Sequence, residues 1–280
     1  MSSYKSVAVV GAGRLGTHIL SALAATEKIS VILLSRPGSS KTAPPGVLVV
    51  PVDYTDINAV SSVFKEHKVD VVLSTLGHEG VGMQKSLADA AKLAAVKLFV
   101  PSEFGSPTHG HTVEAYKAKN EIAAHLKSLG IPSTRIYTGC FMEFLPFIAS
   151  YADGKITIIG KGDAPISYTS LADIAGFVAY VLTTVPVAQL ENRILRLEGD
   201  RASWNDVAKL FKASVERVES FTGKDAEMRT GLLTLFETGA GSTGWDEPNK
   251  RDGSGSEAAG SANSLWPGHH WQTIKEVHSL

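Results

Sequence analysis

The residues whose types and spacing point to chemistry come early, in Gly11-Ala12-Gly13-Arg14-Leu15-Gly16. This G-x-G-x-x-G run follows the β-branched stretch Val7-Ala8-Val9-Val10 and leads straight into a helical pattern over residues 14–24. In a strand, turn and helix of this kind, the first glycine permits a tight turn and the second lets main chain approach a pyrophosphate. The third lets the helix pack close to the strand, and the helix N-terminus faces the phosphates. Dinucleotide binding by Gly11, Gly13, Arg14, Leu15 and Gly16 is the expected chemistry. A glycine-rich turn without a ligand is the plain alternative.

A second position bears on which nucleotide. In NAD-binding units an acidic residue ends the second strand and bonds the ribose 2′-hydroxyl. Here the second apolar run, residues 29–34, ends in Ser35-Arg36 with no acid. A guanidinium suits a 2′-phosphate through paired, charge-assisted hydrogen bonds. Arg14 in the turn and Lys41 in the next loop add positive charge, so NADP(H) is the expected cofactor. Asp53, after the third apolar run, is expected either beside the adenine amine or as the cap of the helix that follows.

The elements that position these residues alternate. Apolar runs at 29–34, 47–52, 69–73 and 96–100 are separated by loops and by helical patterns at 55–67, with a threonine cap signal, and 81–95. This predicts an α/β fold, a doubly wound Rossmann-type parallel sheet whose ligands sit at the carboxyl ends of the strands. Those ends add Thr75, Leu76, Gly77, Pro101, Ser102 and Phe104 to the cofactor candidates. Further on we expect a helix over 113–129, a strand over 131–137, an aromatic segment over 139–147 and two β runs within 155–169. A helix over 170–184 capped by Ser170, a strand over 192–197 and a helix over 203–219 capped by Ser203 follow. Residues 238–265, rich in Gly, Ser and charge, read as a long mobile loop and part of a substrate cover. The division expected is a nucleotide-binding domain over 1–150 and a smaller C-terminal substrate lobe over 151–280, intertwined with the first.

Composition narrows the classes. The formal net charge is −1, which gives no whole-chain electrostatic reason to bind nucleic acid. No apolar run approaches the ~20 residues of a membrane span. There is one cysteine, Cys140, so an intramolecular disulfide is ruled out; without a secretory h-region, a cytoplasmic setting is expected. Cys140 reads as a buried thiol, and Phe141, Phe144 and Phe147 read as core first and substrate wall second. His109-x-His111 shows no third ligand, so no metal is expected.

Three further stretches carry a resemblance. They are Val100-Pro101-Ser102-Glu103-Phe104-Gly105, Lys119 eleven residues before Gly130-Ile131-Pro132, and Cys140-Phe141. With the glycine turn, they resemble the isoflavone reductase-like, NmrA-like branch of the atypical short-chain dehydrogenases. That branch includes phenylcoumaran benzylic ether, pinoresinol–lariciresinol and isoflavone reductases, and the resemblance spans about residues 5–200. It implies NADP(H), with Cys140 and Phe141 on the cofactor side. It also implies Lys119 as the catalytic proton-transfer group and hydride transfer to a small aromatic or conjugated substrate. Met142 and Phe144 would then help to wall the substrate. The Tyr-x-x-x-Lys pair of ordinary short-chain dehydrogenases is absent, since Tyr116 is followed four places on by Asn120. Lys117 points to another side of the helix. The chain departs from the family in reading G-A-G-R-L-G for G-G-T-G-Y-I-G and in carrying Gly139 where an asparagine precedes Cys-Phe. Because NmrA-like proteins include non-catalytic, redox-sensing regulators that bind NADP(H) and a partner protein, that reading stands as the alternative. A homodimer is left open.

Overall fold

A computed structural model describes residues 4–280, apart from the side chains of His78, Glu114 and Ala115. The chain runs β1 (Ser6–Val10), α1 (Arg14–Ala25), β2 (Ser30–Ser35), β3 (Leu48–Pro51), α2 (Ile57–Glu66), β4 (Val71–Ser74), α3 (Gln84–Leu93), β5 (Leu98–Val100), α4 (Glu114–Ser128) and β6 (Thr134–Tyr137). It continues through β7 (Cys140–Phe141), α5 (Leu145–Ile148), β8 (Lys155–Ile159), β9 (Ile166–Thr169), α6 (Leu171–Thr184) and β10 (Arg193–Arg196). The last elements are β11 (Asp200–Ala202), α7 (Trp204–Leu210), β12 (Ser214–Val218), α8 (Ala226–Leu235), β13 (Trp245–Asp246), β14 (Arg251–Asp252) and α9 (Ile274–Val277).

Two compact units share the chain. One holds the residues up to Glu103, His111–Ile136 and Ile174–Leu195; the other holds Phe104–Gly110, Tyr137–Asp173 and Arg196–Leu280. In the first unit a five-stranded sheet runs in the order β3-β2-β1-β4-β5. Every neighbouring pair in it is parallel, and Val7 lies opposite both Val31 and Val71. All five residues of β1 are buried, which explains an unbroken apolar run in place of alternation: both faces of the strand are covered. β3 is the half-exposed edge, where Pro51 costs no ladder bond to a further strand. Strand order reverses between β1 and β4, and a sheet of this kind binds ligands beyond the carboxyl ends at such a point. Phe64 of α2, Leu87 of α3, Phe99 of β5, and Ile122 and Leu126 of α4 pack into one buried cluster with Val10 and Leu34.

Local chemistry shifts two of the expected boundaries. α2 is capped by Asp56, whose Oδ1 accepts from Ala59 N at 2.9 Å, and Asp53 instead closes a turn on Thr55. The helix expected over 81–95 is a 3₁₀ segment, His78–Met83, followed by α3. Gly80 and Gly82 lie in the 3₁₀ stretch, where they weaken α-helical continuation.

The second unit contains the sheet β11-β9-β7 and the parallel pair of β12 with β8. Tyr168, Trp204, Ile158 and Phe236 are buried in its core with Cys140 and Met142. Met142 is fully buried, so it forms core rather than an open substrate wall. Phe147 is 45% exposed, contrary to the core position its spacing suggested. The helix expected over 203–219 is two elements. Ser203 and Asp206 form a capping box that starts α7, but Lys212 has φ +50°, and Ser214–Val218 then pairs along β8. Pairing with a neighbouring strand overrides a pattern that the sequence alone reads as helical.

The expected mobile loop at 238–265 is packed structure. Ser242, Thr243 and Trp245 are buried, and Thr243 N donates to Ser167 Oγ at 2.9 Å. Asn263 grips the Glu198 main chain, its Nδ2 donating to the carbonyl at 2.7 Å. Several glycines of this stretch serve close approach: a Cβ on Gly244 would lie 2.5 Å from Ala259 N. Among the described residues no helix is long and apolar enough to cross a membrane.

Candidate functional site

A cleft of about 510 Å³ lies at the carboxyl ends of β1, β2 and β4, within the first unit. The glycine turn forms one wall. Gly11 has φ +95°, in the left-handed region that glycine occupies without strain. A Cβ on Gly16 would run into the Gly11 carbonyl and lie 2.5 Å from Thr75 Oγ1, so α1 can approach β1 only with glycine there. A Cβ on Gly13 would meet nothing within 4 Å. Gly13 lines the cleft, and its open side leaves main chain there unobstructed by protein atoms. The first turn of α1 carries no acidic residue to offset the partial positive charge at its N-terminus. Arg14 is exposed in that turn, while Leu15 is buried against the core.

Arg36, Ser39 and Lys41 line the cleft beyond β2, and Leu76 and Gly77 line it beyond β4. The two cations are exposed, which suits them to a mobile anionic ligand. Tyr54 forms buried floor, and its hydroxyl donates to Leu34 O at 2.7 Å. Burial pushes the Tyr54 phenol up to about 12, against a smaller pull downwards from Arg36. The exposed Asp53 carboxylate accepts from both the Thr55 amide and hydroxyl, which hold it below the usual carboxylate range. Tyr54 is a cleft residue that the sequence reading missed; an aromatic directly after an acid reads as loop.

The loops after β4 and β5 are joined. Ser102 Oγ donates to Leu76 O at 2.8 Å, and Ser102 N donates to Gln84 Oε1 at 2.8 Å. Gln84 is almost wholly buried at the start of α3 and was also missed; its only sequence signal is a polar residue on an apolar helix face. Pro101 is buried beside this junction.

Lys119 lies on α4, and its Nζ donates to the main-chain carbonyl of Glu103 at 2.6 Å. Glu103 is 2% exposed, and its carboxylate accepts from Arg135 Nε at 2.7 Å. Burial lowers the proton affinity of the Lys119 amine, Glu103 raises it, and Arg135 lowers it again. Lys117 is exposed, on another side of the helix. Tyr116 sets its ring edge-on to buried His111 at 5.1 Å.

Phe104, Cys140 and Phe141 belong to the second unit. Phe104 has φ +28°, a strained value for a residue with a side chain. Cys140 lies opposite Tyr168 in the pairing of β7 with β9, and burial pushes its thiol up to about 12, with a smaller contribution from Glu143. Gly139, the departure from the family asparagine, has φ +65°, and a Cβ there would lie 2.7 Å from the Ser167 carbonyl carbon. The backbone therefore excludes a side chain at this position.

Comparison with known proteins adds the following. The model of the NmrA-like family matches residues 3–230. An oxidoreductase of Aspergillus flavus is 35% identical over 217 residues, covering 72% of this chain and 71% of that protein. An isoflavone reductase homologue of Arabidopsis thaliana is 29% identical over 236 residues, covering 75% and 74%. Among solved structures, the binary complex of leucoanthocyanidin reductase with NADPH from Vitis vinifera superposes with a TM-score of 0.81. It is 21% identical and covers 98% of each chain, a likeness of fold.

Proposed function

From its membership of the NmrA-like family, we propose that this chain is an NADPH-dependent oxidoreductase that reduces a small aromatic or conjugated substrate. The observation that supports this reading best is the cleft itself. The side of the glycine turn that is free of protein atoms, over Gly13, opens on the same space as Arg36 and Lys41. A pyrophosphate fits over the first and a 2′-phosphate between the second and third. The relatives named as an oxidoreductase and an isoflavone reductase homologue agree with a reductase.

When bound, NADPH supplies hydride from its nicotinamide, and the protein supplies binding, orientation and proton transfer. Gly11, Gly13 and the α1 N-terminus hold the diphosphate, and Arg36 and Lys41 select the phosphorylated ribose. Thr75, Leu76, Gly77, Pro101 and Ser102 form the continuous rim past the switch point. Lys119 donates the proton that the reduced substrate takes up. Its burial makes the ammonium a stronger acid than an exposed lysine, the direction that favours proton donation.

The test is a screen of aromatic ketones, enones and benzylic ethers for NADPH oxidation, followed by Lys119→Ala and Lys117→Ala. Lys119→Ala should keep NADPH affinity and lose about 10²–10⁴-fold in turnover, the usual cost of removing one positioned acid or base. Lys117→Ala should keep both. Full turnover in Lys119→Ala assigns the proton elsewhere. If NADPH binds and no ligand drives its oxidation, the redox-sensing reading replaces this one.

A further inference from the structure

We propose that Arg135 is a positioning residue for the Lys119 amine and acts on it through Glu103. The inference rests on the reading of Lys119 as the proton-transfer group. Four contacts lead to it, all inside the first unit. The Lys119 ammonium donates to the peptide carbonyl of Glu103 at 2.6 Å. The Glu103 carboxylate turns to Arg135, accepting from Nε at 2.7 Å. Nη2 of the same guanidinium donates to Asn120 Oδ1 at 3.0 Å, one residue along α4 from Lys119. Asn120 Nδ2 in turn donates to His111 O at 3.3 Å.

One guanidinium on β6 thus ties together the loop after β5, helix α4 and the segment at His111. Glu103 and Arg135 are only 2% and 8% exposed, so this is a desolvated ion pair, which is expensive to bury and weak as a stabilising device. Its placement gives it a second use. A guanidinium fork matches a carboxylate better than an ammonium does, so it occupies the Glu103 carboxylate and presents the carbonyl of the same residue to Lys119. Against a carboxylate, the amine would hold its proton tightly; against a neutral carbonyl, with Arg135 behind it, it releases the proton more readily. The charged groups acting on the amine are Glu103, which favours the ammonium, and Arg135, which opposes it. Lys117, on the same helix, is exposed.

The experiment is an NMR titration of lysine labelled with ¹³C at Cε, the Lys119 resonance being assigned by its loss in Lys119→Met. In Glu103→Gln the amine should deprotonate at lower pH, and in Arg135→Gln at higher pH, each by about one unit or more, the effect of one charge at this range. Arg135→Lys, which keeps the charge, should stay near wild type. A purely structural role would not produce shifts of opposite sign. If a single variant does not fold, Glu103→Gln/Arg135→Gln removes both charges of the buried pair at once; it should titrate below wild type, because Glu103 is the larger influence. Shifts of one sign in both single variants, or an unmoved Lys119 in the double variant, overturn the inference. The titration needs no substrate. A shifted amine with an unshifted pH profile of NADPH oxidation supports the coupling while removing Lys119 from proton transfer.

Discussion

The hydroxyl of Thr75 donates to the carbonyl of Gly11 at 2.9 Å, tying the end of β4 to the turn after β1. The Thr75 amide also donates to Val10 O at 2.9 Å. The glycine turn is therefore braced from the neighbouring strand, and Gly16 sits against that brace. Gly16→Ala must push Thr75 Oγ1 and the Gly11 carbonyl apart, an overpacking that costs about 1–3 kcal/mol. At Gly13 an added Cβ meets no protein atom within 4 Å, so Gly13→Val should melt near the wild-type temperature while losing the nucleotide. Thermal melts with and without NADPH separate the two. Retained ligand stabilisation in folded Gly13→Val would mean that the turn is structural only.

Arg36 sets a second expectation. Arg36→Ala should weaken NADPH binding roughly tenfold or more, the loss of charge-assisted hydrogen bonds of about 1.5–3 kcal/mol, and leave NADH nearly unchanged. Calorimetric titration of both cofactors reads this directly. Equal binding of NADH and NADPH by the wild type would refute the 2′-phosphate site.

Lys119 links folding to pH. Its amine is held below the ordinary lysine value of 10.5, chiefly by burial. Between that lowered value and 10.5 the unfolded chain carries a proton that the folded chain has lost. The unfolded state therefore binds more protons, and stability rises with pH across that window. Lys119→Met should flatten this part of the stability curve. Urea midpoints measured through the alkaline range check it, and matching slopes in the two proteins would contradict it.

Cys140 should be inert in the native protein. The residue is 6% exposed and its thiol is pushed up to about 12, so little thiolate exists at neutral pH. Iodoacetamide should leave the folded chain unmodified and label one site after denaturation, as mass spectrometry will show. Rapid native labelling would place the thiol at the surface.

Much of the first unit was legible in the sequence because its signals are local. β1 is apolar throughout because it is covered on both faces, and the spacing of Gly11, Gly13 and Gly16 is fixed by one turn. What was missed depends on partners distant in the chain. Nothing near Lys212 announces that Ser214–Val218 will pair with β8, nearly sixty residues earlier. Gln84 shows its part only where Ser102 meets it. The glycines of 238–265 resemble a flexible tract in composition, yet Gly244 is there because Ala259 passes too close for a side chain. At the site, Lys119 was reachable through a resemblance, whereas the Glu103–Arg135 pair beneath it needed the fold.

The way the chain is shared between its two units bears on how the protein is made. The first unit recruits Ile174–Leu195 after the second has already taken up Tyr137–Asp173. During synthesis, a nascent chain released from the ribosome at about residue 150 lacks a segment the first unit needs, and its apolar surface waits for residues still to be translated. Fusion partners, truncations and split-protein reporters designed on a cut between an N-terminal and a C-terminal half would sever both units at once. Exposed loops that lie wholly inside one unit and away from the cleft, such as residues 222–225, are the safer places to insert a tag.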